Sequence, residues 1–105
     1  MLPVHLLIDA TLKTLSERGG FYTIIQRGER SNGVIMLKLW SGGDTCKLLQ
    51  QQRDLDGDMQ WVNALDQDIV TENEADAYIK QSVQYDPDLW VIEIEHETMD
   101  NPFKT

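Results

Sequence analysis

The side chains best suited to acid–base or metal chemistry lie in one segment, YDPDLWVIEIEHE at residues 85–97. One histidine stands among its five carboxylates: Asp86, Asp88, Glu93, Glu95, His96 and Glu97. Two carboxylates held close together can act as the acid and base of a hydrolase. Carboxylates that converge with a histidine can bind a metal ion. The first question is therefore whether the segment folds so that these groups meet.

The alternation of apolar and acidic residues in this segment predicts a strand that begins at Leu89. Successive side chains of a strand point to opposite faces, which separates His96 from Glu95 and Glu97. The first residues are apolar on both faces, as in a strand buried on both sides. The three glutamates that follow are predicted to face water, and the two aspartates belong to the preceding turn. We therefore assign no catalytic residue, metal ligand or cofactor.

Two further groups of residues have both a chemical and a structural interpretation. Cys46 is the only cysteine, which excludes an intramolecular disulfide, and its place in an apolar strand is typical of a small core residue. Arg27, Arg30 and Arg53 fall at or beside the ends of predicted hairpins, where they could form a small basic patch for an anion or an acidic partner. Alternatively, Arg27 could pair across strands with Glu93 or Glu95, and we favour this ion-pair interpretation.

Hydrophobic periodicity and turn residues divide the chain into two helices and five strands. The predicted order is a helix (3–18), four strands joined as hairpins (21–27, 34–40, 45–52 and 59–65), a second helix (71–86) and a last strand from Leu89. Thr71 and Glu74 form a capping box at the start of the second helix, and Pro87 ends it. The short links favour an antiparallel meander with both helices packed on the sheet.

These elements predict an α+β fold with a mostly antiparallel, five-stranded sheet. Residues 1–97 are expected to form a single domain with one core, followed by a loose C-terminal tail at residues 98–105. The predicted core contains large apolar side chains from both helices and from three strands: Leu7, Leu15, Ile24, Trp61, Ile79, Trp90, Ile92 and Ile94.

The surplus negative charge lies in the last two-fifths of the chain. The net charge is −9, and residues 65–105 contain eleven acids but only two lysines. Such a surface repels nucleic-acid backbones and anionic lipids, so neither is expected as a partner, whereas a basic protein would be attracted. No apolar run is long enough to span a bilayer, and the start lacks the features of a secretory signal. Together with the single cysteine, these features predict a cytoplasmic protein.

Four stretches of the sequence resemble the motifs of a bacterial family. They are Gln26-Arg27-Gly28 with Gly33, Asp56-Gly57 with Trp61, the helical EADAYI at residues 74–79, and DPDLWVIEIE at residues 86–95. In these motifs, which extend over nearly the whole chain, the sequence resembles the domain-of-unknown-function family DUF1491. Gln26 stands where the family pattern has a second basic residue, and the tail after Glu95 departs from the pattern. The resemblance implies a bacterial, cytoplasmic protein and supplies no activity, cofactor or catalytic residue.

The sequence favours a small non-enzymatic interaction or accessory protein. This hypothesis rests on the charge asymmetry, and the surface predicted to carry the interaction contains Asp86, Asp88, Glu93, Glu95, Arg27 and Arg30. A metal-dependent or carboxylate-based hydrolase is the alternative, which a cleft uniting these acids with His96 would favour. The sequence leaves the strand order, the oligomeric state and the partner open.

Overall fold

Two helices and six strands make up the fold of residues 2–104, which a computed structural model describes. The elements are α1 (Val4–Glu17), β1 (Phe21–Gln26), β2 (Ile35–Trp40), β3 (Thr45–Arg53), β4 (Met59–Asn63), β5 (Val70–Thr71), α2 (Glu72–Tyr85) and β6 (Trp90–Glu95). The predicted α+β class and the two helices are confirmed. The sheet has one strand more than the five predicted, because the two residues of β5 pair with β3 just before α2 begins. No helix of the described part of the chain is long and apolar enough to cross a membrane.

The last strand, β6, lies in the centre of the sheet. The strand order is β1-β6-β2-β3-β4 with β5 beside β3, and β6 is antiparallel to β1 but parallel to β2. The sheet is therefore mixed, and the predicted hairpin between residues 21–27 and 34–40 is wrong, because both strands pair with β6 and not with each other. The first residues of β6 are apolar on both faces, and such a strand is stable only where both faces are covered.

Alternate side chains of the central strands form two apolar clusters, one on each face of the sheet. The face toward α1 contains Ile35, Leu37, Leu39, Trp90, Ile92 and Ile94, packed on Val4, Ile8, Leu12 and Leu15 of the helix. The face toward α2 contains Met36, Cys46, Leu48, Val70, Leu89 and Val91, packed on Ala75 and Ile79. Burial of one large apolar side chain contributes roughly 1.5–3 kcal/mol, so both clusters stabilise the sheet.

The buried stripe of α1 is narrower than predicted. The expected core residue Leu7 is 40% exposed, because it lies about 90° around the helix from the centre of the buried stripe. The remaining predicted core residues lie in or against the two clusters. Five are buried and two are partly buried: Leu15, Ile79, Trp90, Ile92 and Ile94, then Ile24 and Trp61.

Helix α2 begins with the capping box that the sequence predicts. The Thr71 hydroxyl accepts a hydrogen bond from the Glu74 N–H at 3.1 Å, and the Glu74 carboxylate accepts one from the Thr71 N–H at 3.2 Å. The bonds from the Thr71 side chain and backbone lower the pKa of Glu74. At the other end, Asp86 leaves the helical conformation before Pro87, as expected for a residue that precedes proline.

Residues 98–104 lie against the sheet. Met99 and Phe103 pack on the edge of the α1-side cluster, and the Phe103 ring centre lies 6.0 Å from that of Trp61. The segment predicted as a loose tail thus has apolar contacts as far as Phe103. Thr105, the end of that predicted tail, and Met1, the start of the predicted domain, lie outside the described residues.

Candidate functional site

A lysine on the α2 face of the sheet is buried among carboxylates. Lys38 lies in β2 and is 2% exposed. Its Nζ lies 2.8 Å from Asp76 Oδ1 and 3.0 Å from Glu72 Oε1, both in the first turns of α2. It also lies 3.2 Å from Glu93 Oε1 on the adjacent β6. The ammonium therefore links α2 to the two central strands, and we call these four residues the lysine cluster.

The contacts of the lysine cluster keep Lys38 protonated. Burial alone lowers the pKa of an ammonium, but the hydrogen bonds to Asp76, Glu72 and Glu93 outweigh it and hold the pKa of Lys38 above its ordinary value. A lysine that acts as a nucleophile or general base needs the opposite shift. The cluster therefore fixes α2 on the sheet and does not supply a reactive amine.

Cys46 lies on the same face of the sheet and is fully buried. Burial raises the pKa of its thiol, and the positive charge of Lys38 acts in the opposite direction without cancelling the rise. A cysteine nucleophile needs an accessible and stabilised thiolate. Cys46 therefore packs as a small apolar residue.

The end of β6 and the start of α2 carry acidic groups that reach solvent. Glu95 is exposed. The side chains of Glu93, Glu72 and Asp76 remain 30%, 36% and 56% exposed although they contact Lys38. We call these four acidic residues the acidic strip. Three of these four carboxylates contact the single ammonium of Lys38, so the strip and Lys38 together keep a net negative charge.

Two aromatic side chains border the acidic strip. Phe21, at the start of β1, is 70% exposed, and Trp40, at the end of β2, is partly exposed. These rings and the carboxylates of Glu93 and Glu95 line a shallow cleft of about 70 Å³. Aromatic faces beside carboxylates favour a positively charged group, so the cleft suits the head of a lysine or arginine side chain.

The other residues of the predicted interaction surface lie at the opposite end of β6. They are Asp86, Asp88, Arg27 and Arg30. Along the strand, Asp88 and Glu93 are separated by about 16 Å, at roughly 3.3 Å per residue. The six residues therefore belong to two separate surfaces, and their carboxylates do not converge in one cleft.

The turn before β6 is held by the end of β1 and the loop that follows it. The Gln26 side-chain amide donates to the carbonyls of Asp86 and Leu89 at 3.0 and 2.7 Å. The Glu29 N–H donates to the Asp88 carbonyl at 2.9 Å. The uncharged amide of Gln26, where the family pattern has a basic residue, thus has a structural role.

Two glycines allow this loop to approach the turn closely. A Cβ atom on Gly28 or on Gly33 would collide with the Asp88 carbonyl and crowd the Trp90 ring. The Trp90 indole N–H donates to the Glu29 carbonyl at 2.8 Å in the same junction. The spacing of the two glycines is therefore a packing requirement of the fold.

Arg27 lies over the Trp90 ring, with the guanidinium carbon 5.9 Å from the ring centre. It follows Gln26, which is opposite Val91, so the register places it at the beginning of β6. The predicted ion pair of Arg27 with Glu93 or Glu95 is therefore not formed.

His96 does not join the carboxylates. Its Nδ1 lies 3.0 Å from the Thr98 hydroxyl oxygen, and its Nε2 lies 3.4 Å from the Arg18 carbonyl oxygen after α1. Within residues 2–104, no group of three or more His, Cys, Asp or Glu side chains is arranged to hold a metal ion.

A spacious groove lies beside β3 and β4, against the C-terminal segment. It has a volume of about 840 Å³ and an apolar floor that includes Leu39, Leu49 and Trp61. Its charged lining contains three acids and two bases: Asp66, Asp68, Asp100, Lys47 and Lys104. The charges nearly balance, and the described lining includes no histidine, cysteine or serine.

Lys38 is not among the residues predicted to be functional, and Glu93 lies in a different environment from the one expected. Glu93 was expected to face water, but it is partly buried because it binds the Lys38 ammonium. The signal was available: Lys38 is the only charged residue in the apolar run VIMLKLW. A lysine within a buried strand needs carboxylate partners, and the start of α2 supplies Glu72 and Asp76.

Comparisons with known proteins agree with one another. The sequence model of a family described as "Protein of unknown function (DUF1491)" matches residues 2–104. A crystal structure of a DUF1491 family protein from Caulobacter crescentus CB15 is 25% identical, with a TM-score of 0.85 over 100% of this chain and 96% of that chain. An NMR structure of a DUF1491 family protein from the same bacterium is also 25% identical, with a TM-score of 0.86 over 98% and 93%.

A third structure is similar in fold. The solution structure of protein Atu0922 from A. tumefaciens is 21% identical, with a TM-score of 0.70 over 90% of this chain and 86% of that chain. None of the curated proteins compared with the chain matches it.

Proposed function

We propose that this chain, which belongs to the DUF1491 family of proteins of unknown function, is a non-enzymatic interaction domain of the bacterial cytoplasm. Its ligand is a basic segment of a partner protein. The observation that carries the proposal is the acidic strip together with the exposed ring of Phe21 and the partly exposed ring of Trp40. The acidic strip contains two of the six residues that the sequence suggested for the interaction, Glu93 and Glu95.

The charge of the molecule supports a basic partner. The net charge is −9, so the field of the whole chain attracts a cationic segment before contact. At short range, the acidic strip offers four carboxylates against the single ammonium of Lys38. A basic side chain that enters the strip therefore gains more attraction than repulsion.

The lysine cluster also supports the proposal because it fixes the positions of the acidic groups. Three carboxylates of the strip already bind Lys38 Nζ within 3.2 Å, on elements that pack in the core. Side chains that are ordered before binding lose less conformational entropy when the ligand arrives. Glu95 does not contact Lys38, and it is the member best placed for a direct ion pair.

Binding of a fluorescent oligolysine peptide tests the proposal. We expect saturable binding that weakens strongly between about 50 and 300 mM salt, because exposed charges are screened at the higher concentration. Replacement Glu95→Lys should weaken binding by about fivefold or more, since it converts an attraction at the cleft into a repulsion. Replacement Phe21→Ala should weaken it by about two- to fivefold through loss of the aromatic face.

Asp9→Lys is the matched control for Glu95→Lys. Asp9 is exposed on α1, on the other side of the sheet, and its replacement changes the net charge by the same amount. If both variants bind oligolysine equally well, the attraction comes from overall charge and the assigned surface is wrong. An oligoglutamate peptide that binds as tightly as oligolysine would also contradict the proposal.

A further inference from the structure

The outer edge of β1 is free in the described structure. β1 is the first strand in the sheet order, and its only strand neighbour is β6. Its sequence, FYTIIQ, contains no charged residue, although charges are a common protection of sheet edges against further pairing. Three of its large apolar side chains are exposed: Phe21, Tyr22 and Ile25.

The hydrogen bonds of β6 show which backbone groups of β1 point outward. The N–H groups of Trp90 and His96 donate to carbonyls of the β2 side, at 2.9 and 3.0 Å. Backbone groups of successive strand residues alternate between the two neighbours, so Glu93 and Glu95 direct theirs toward β1. This alternation decides which residues of β1 remain unpaired.

The register of β1 completes the assignment. Glu93 is opposite Thr23, and Glu95 is opposite Phe21. Thr23 and Phe21 therefore pair with β6, whereas Tyr22 and Ile24 direct their N–H and C=O groups to the free edge. The ladder becomes irregular between Ile24 and Gln26, which limits the regular edge to the first four residues of the strand.

The two faces of this edge differ in chemistry. On the α2 side, Phe21 and Thr23 lie beside Glu95 and Glu93 of the acidic strip. On the α1 side, Ile24 packs against the apolar cluster. A strand added to β1 would therefore place alternate side chains beside carboxylates and beside apolar groups.

Building on the proposed function, we infer that β1 binds its partner by strand addition. The ligand is an extended segment of about four to six residues that alternates basic and apolar side chains. Its main chain bonds to Tyr22 and Ile24, its basic side chains face the acidic strip, and its apolar side chains extend the α1-side cluster. A basic segment fits this edge better than a second copy of the chain does, because two copies with a net charge of −9 each repel one another.

The probe is a fluorescent peptide of about seven residues that alternates lysine and valine, compared with a peptide of the same composition in which the lysines and valines form two blocks. The alternating peptide should bind at least about tenfold more tightly, because only its pattern satisfies both faces at once. With the wild-type protein saturated by peptide, hydrogen exchange of the Tyr22 and Ile24 amides should slow by about tenfold or more. Unchanged exchange at both amides would overturn strand addition.

The variant Tyr22→Pro removes one outward N–H while leaving the ladder with β6 intact. It should weaken binding of the alternating peptide by about tenfold, whereas the control Tyr22→Ala should change it by less than about threefold. An alternating peptide N-methylated on one edge of its backbone probes the same bonds with the wild-type protein. Equal binding of the methylated and unmethylated peptides would overturn the inference even if Tyr22→Pro did not fold.

The two proposals fail in different ways. If the alternating peptide binds in a Glu95-dependent manner but Tyr22→Pro and N-methylation have no effect, the basic partner stands and strand addition is wrong. If neither oligolysine nor the alternating peptide binds, the proposed function itself is wrong. Self-association in sedimentation that Tyr22→Pro abolishes would assign the edge to a second copy and overturn the inferred partner.

Discussion

The two faces of the sheet are stabilised by different physics. On the α1 side, β2 and β6 contribute six buried apolar side chains that pack on a fully apolar helical stripe. On the α2 side, the same strands begin with Met36 and Val91 in an apolar cluster and continue to Lys38 and Glu93 in an ion cluster. The α1 face is therefore stabilised by hydrophobic burial along its whole length. On the α2 face, apolar packing gives way to ion pairs within two residues of each strand.

This difference separates stability from recognition. The hydrophobic effect is not directional, and buried apolar side chains present no polar group that a ligand could bind. The α1 face therefore serves chiefly as a core. The ion cluster keeps its three carboxylates partly exposed, at 30–56%, so the groups that hold α2 can also meet a ligand. The largest losses of stability are therefore expected on the α1 face and the largest losses of binding on the α2 face.

Replacement Trp90→Ala should give the largest loss of stability, about 3–5 kcal/mol, because it leaves a cavity in the α1-side cluster. It also removes the indole hydrogen bond to the Glu29 carbonyl. Chemical denaturation measures the loss. The control Phe21→Ala removes another aromatic ring but from an exposed site, and it should change stability by less than about 0.5 kcal/mol. Similar losses for both would contradict the division between the faces.

Replacement Lys38→Met should cost about 2 kcal/mol at neutral pH, less than the loss for a fully buried ion pair because the carboxylates left behind are partly hydrated. Denaturation curves of wild type and variant measure the loss. The exposed Lys80 supplies the control: Lys80→Met should show no such loss.

The same denaturation experiment can be extended to alkaline pH. The pKa of Lys38 is raised in the folded state, so its contribution is fully present below the ordinary pKa of lysine, about 10.4. It is lost only as pH rises through the raised folded value. The difference in the free energy of unfolding between wild type and Lys38→Met should therefore stay constant from about pH 7 to 9. A gap that closes in this range would show that the ammonium is not held as described.

Replacement Thr71→Ala should have a smaller effect, about 1 kcal/mol, through loss of the N-terminal cap of α2. The pKa of Glu74 is lowered by its bonds to Thr71, so the stabilisation is present above the ordinary pKa of glutamate. This stabilisation declines as pH falls through the lowered pKa of Glu74. The difference in the free energy of unfolding between wild type and Thr71→Ala should shrink in that range. Thermal or urea denaturation above and below that range measures the change. If the difference does not depend on pH, the loss comes only from the hydrogen bond between the Glu74 N–H and the Thr71 hydroxyl.

Replacement Glu95→Gln should have the smallest effect on stability, within about 0.5 kcal/mol, because Glu95 is exposed and lies outside the lysine cluster. Its binding of oligolysine should nevertheless fall, which would assign Glu95 to recognition alone. Urea denaturation and peptide titration on the same sample measure both quantities. A marked loss of stability without a loss of binding would reverse that assignment.

The parts of the fold that depend on local patterns could be predicted from the sequence. The capping box of Thr71 and Glu74 and the alternation around Trp90 depend on residues close together in the chain, and both are present in the structure. The position of β6 between β1 and β2 depends on competition among distant strands, which local periodicity does not report. The lysine cluster was missed for the same reason, because its four members come from three separate elements.

The placement of β6 also governs the order in which the molecule can be assembled. β1 and β2 precede it in the chain by tens of residues, yet neither has its full set of neighbours until β6 inserts between them. Pairing over such separations is slow because a long loop must close first. A chain that grows from its amino end therefore displays FYTIIQ and IMLKLW without their central neighbour, and we expect nascent chains to depend on chaperones that shield these two segments.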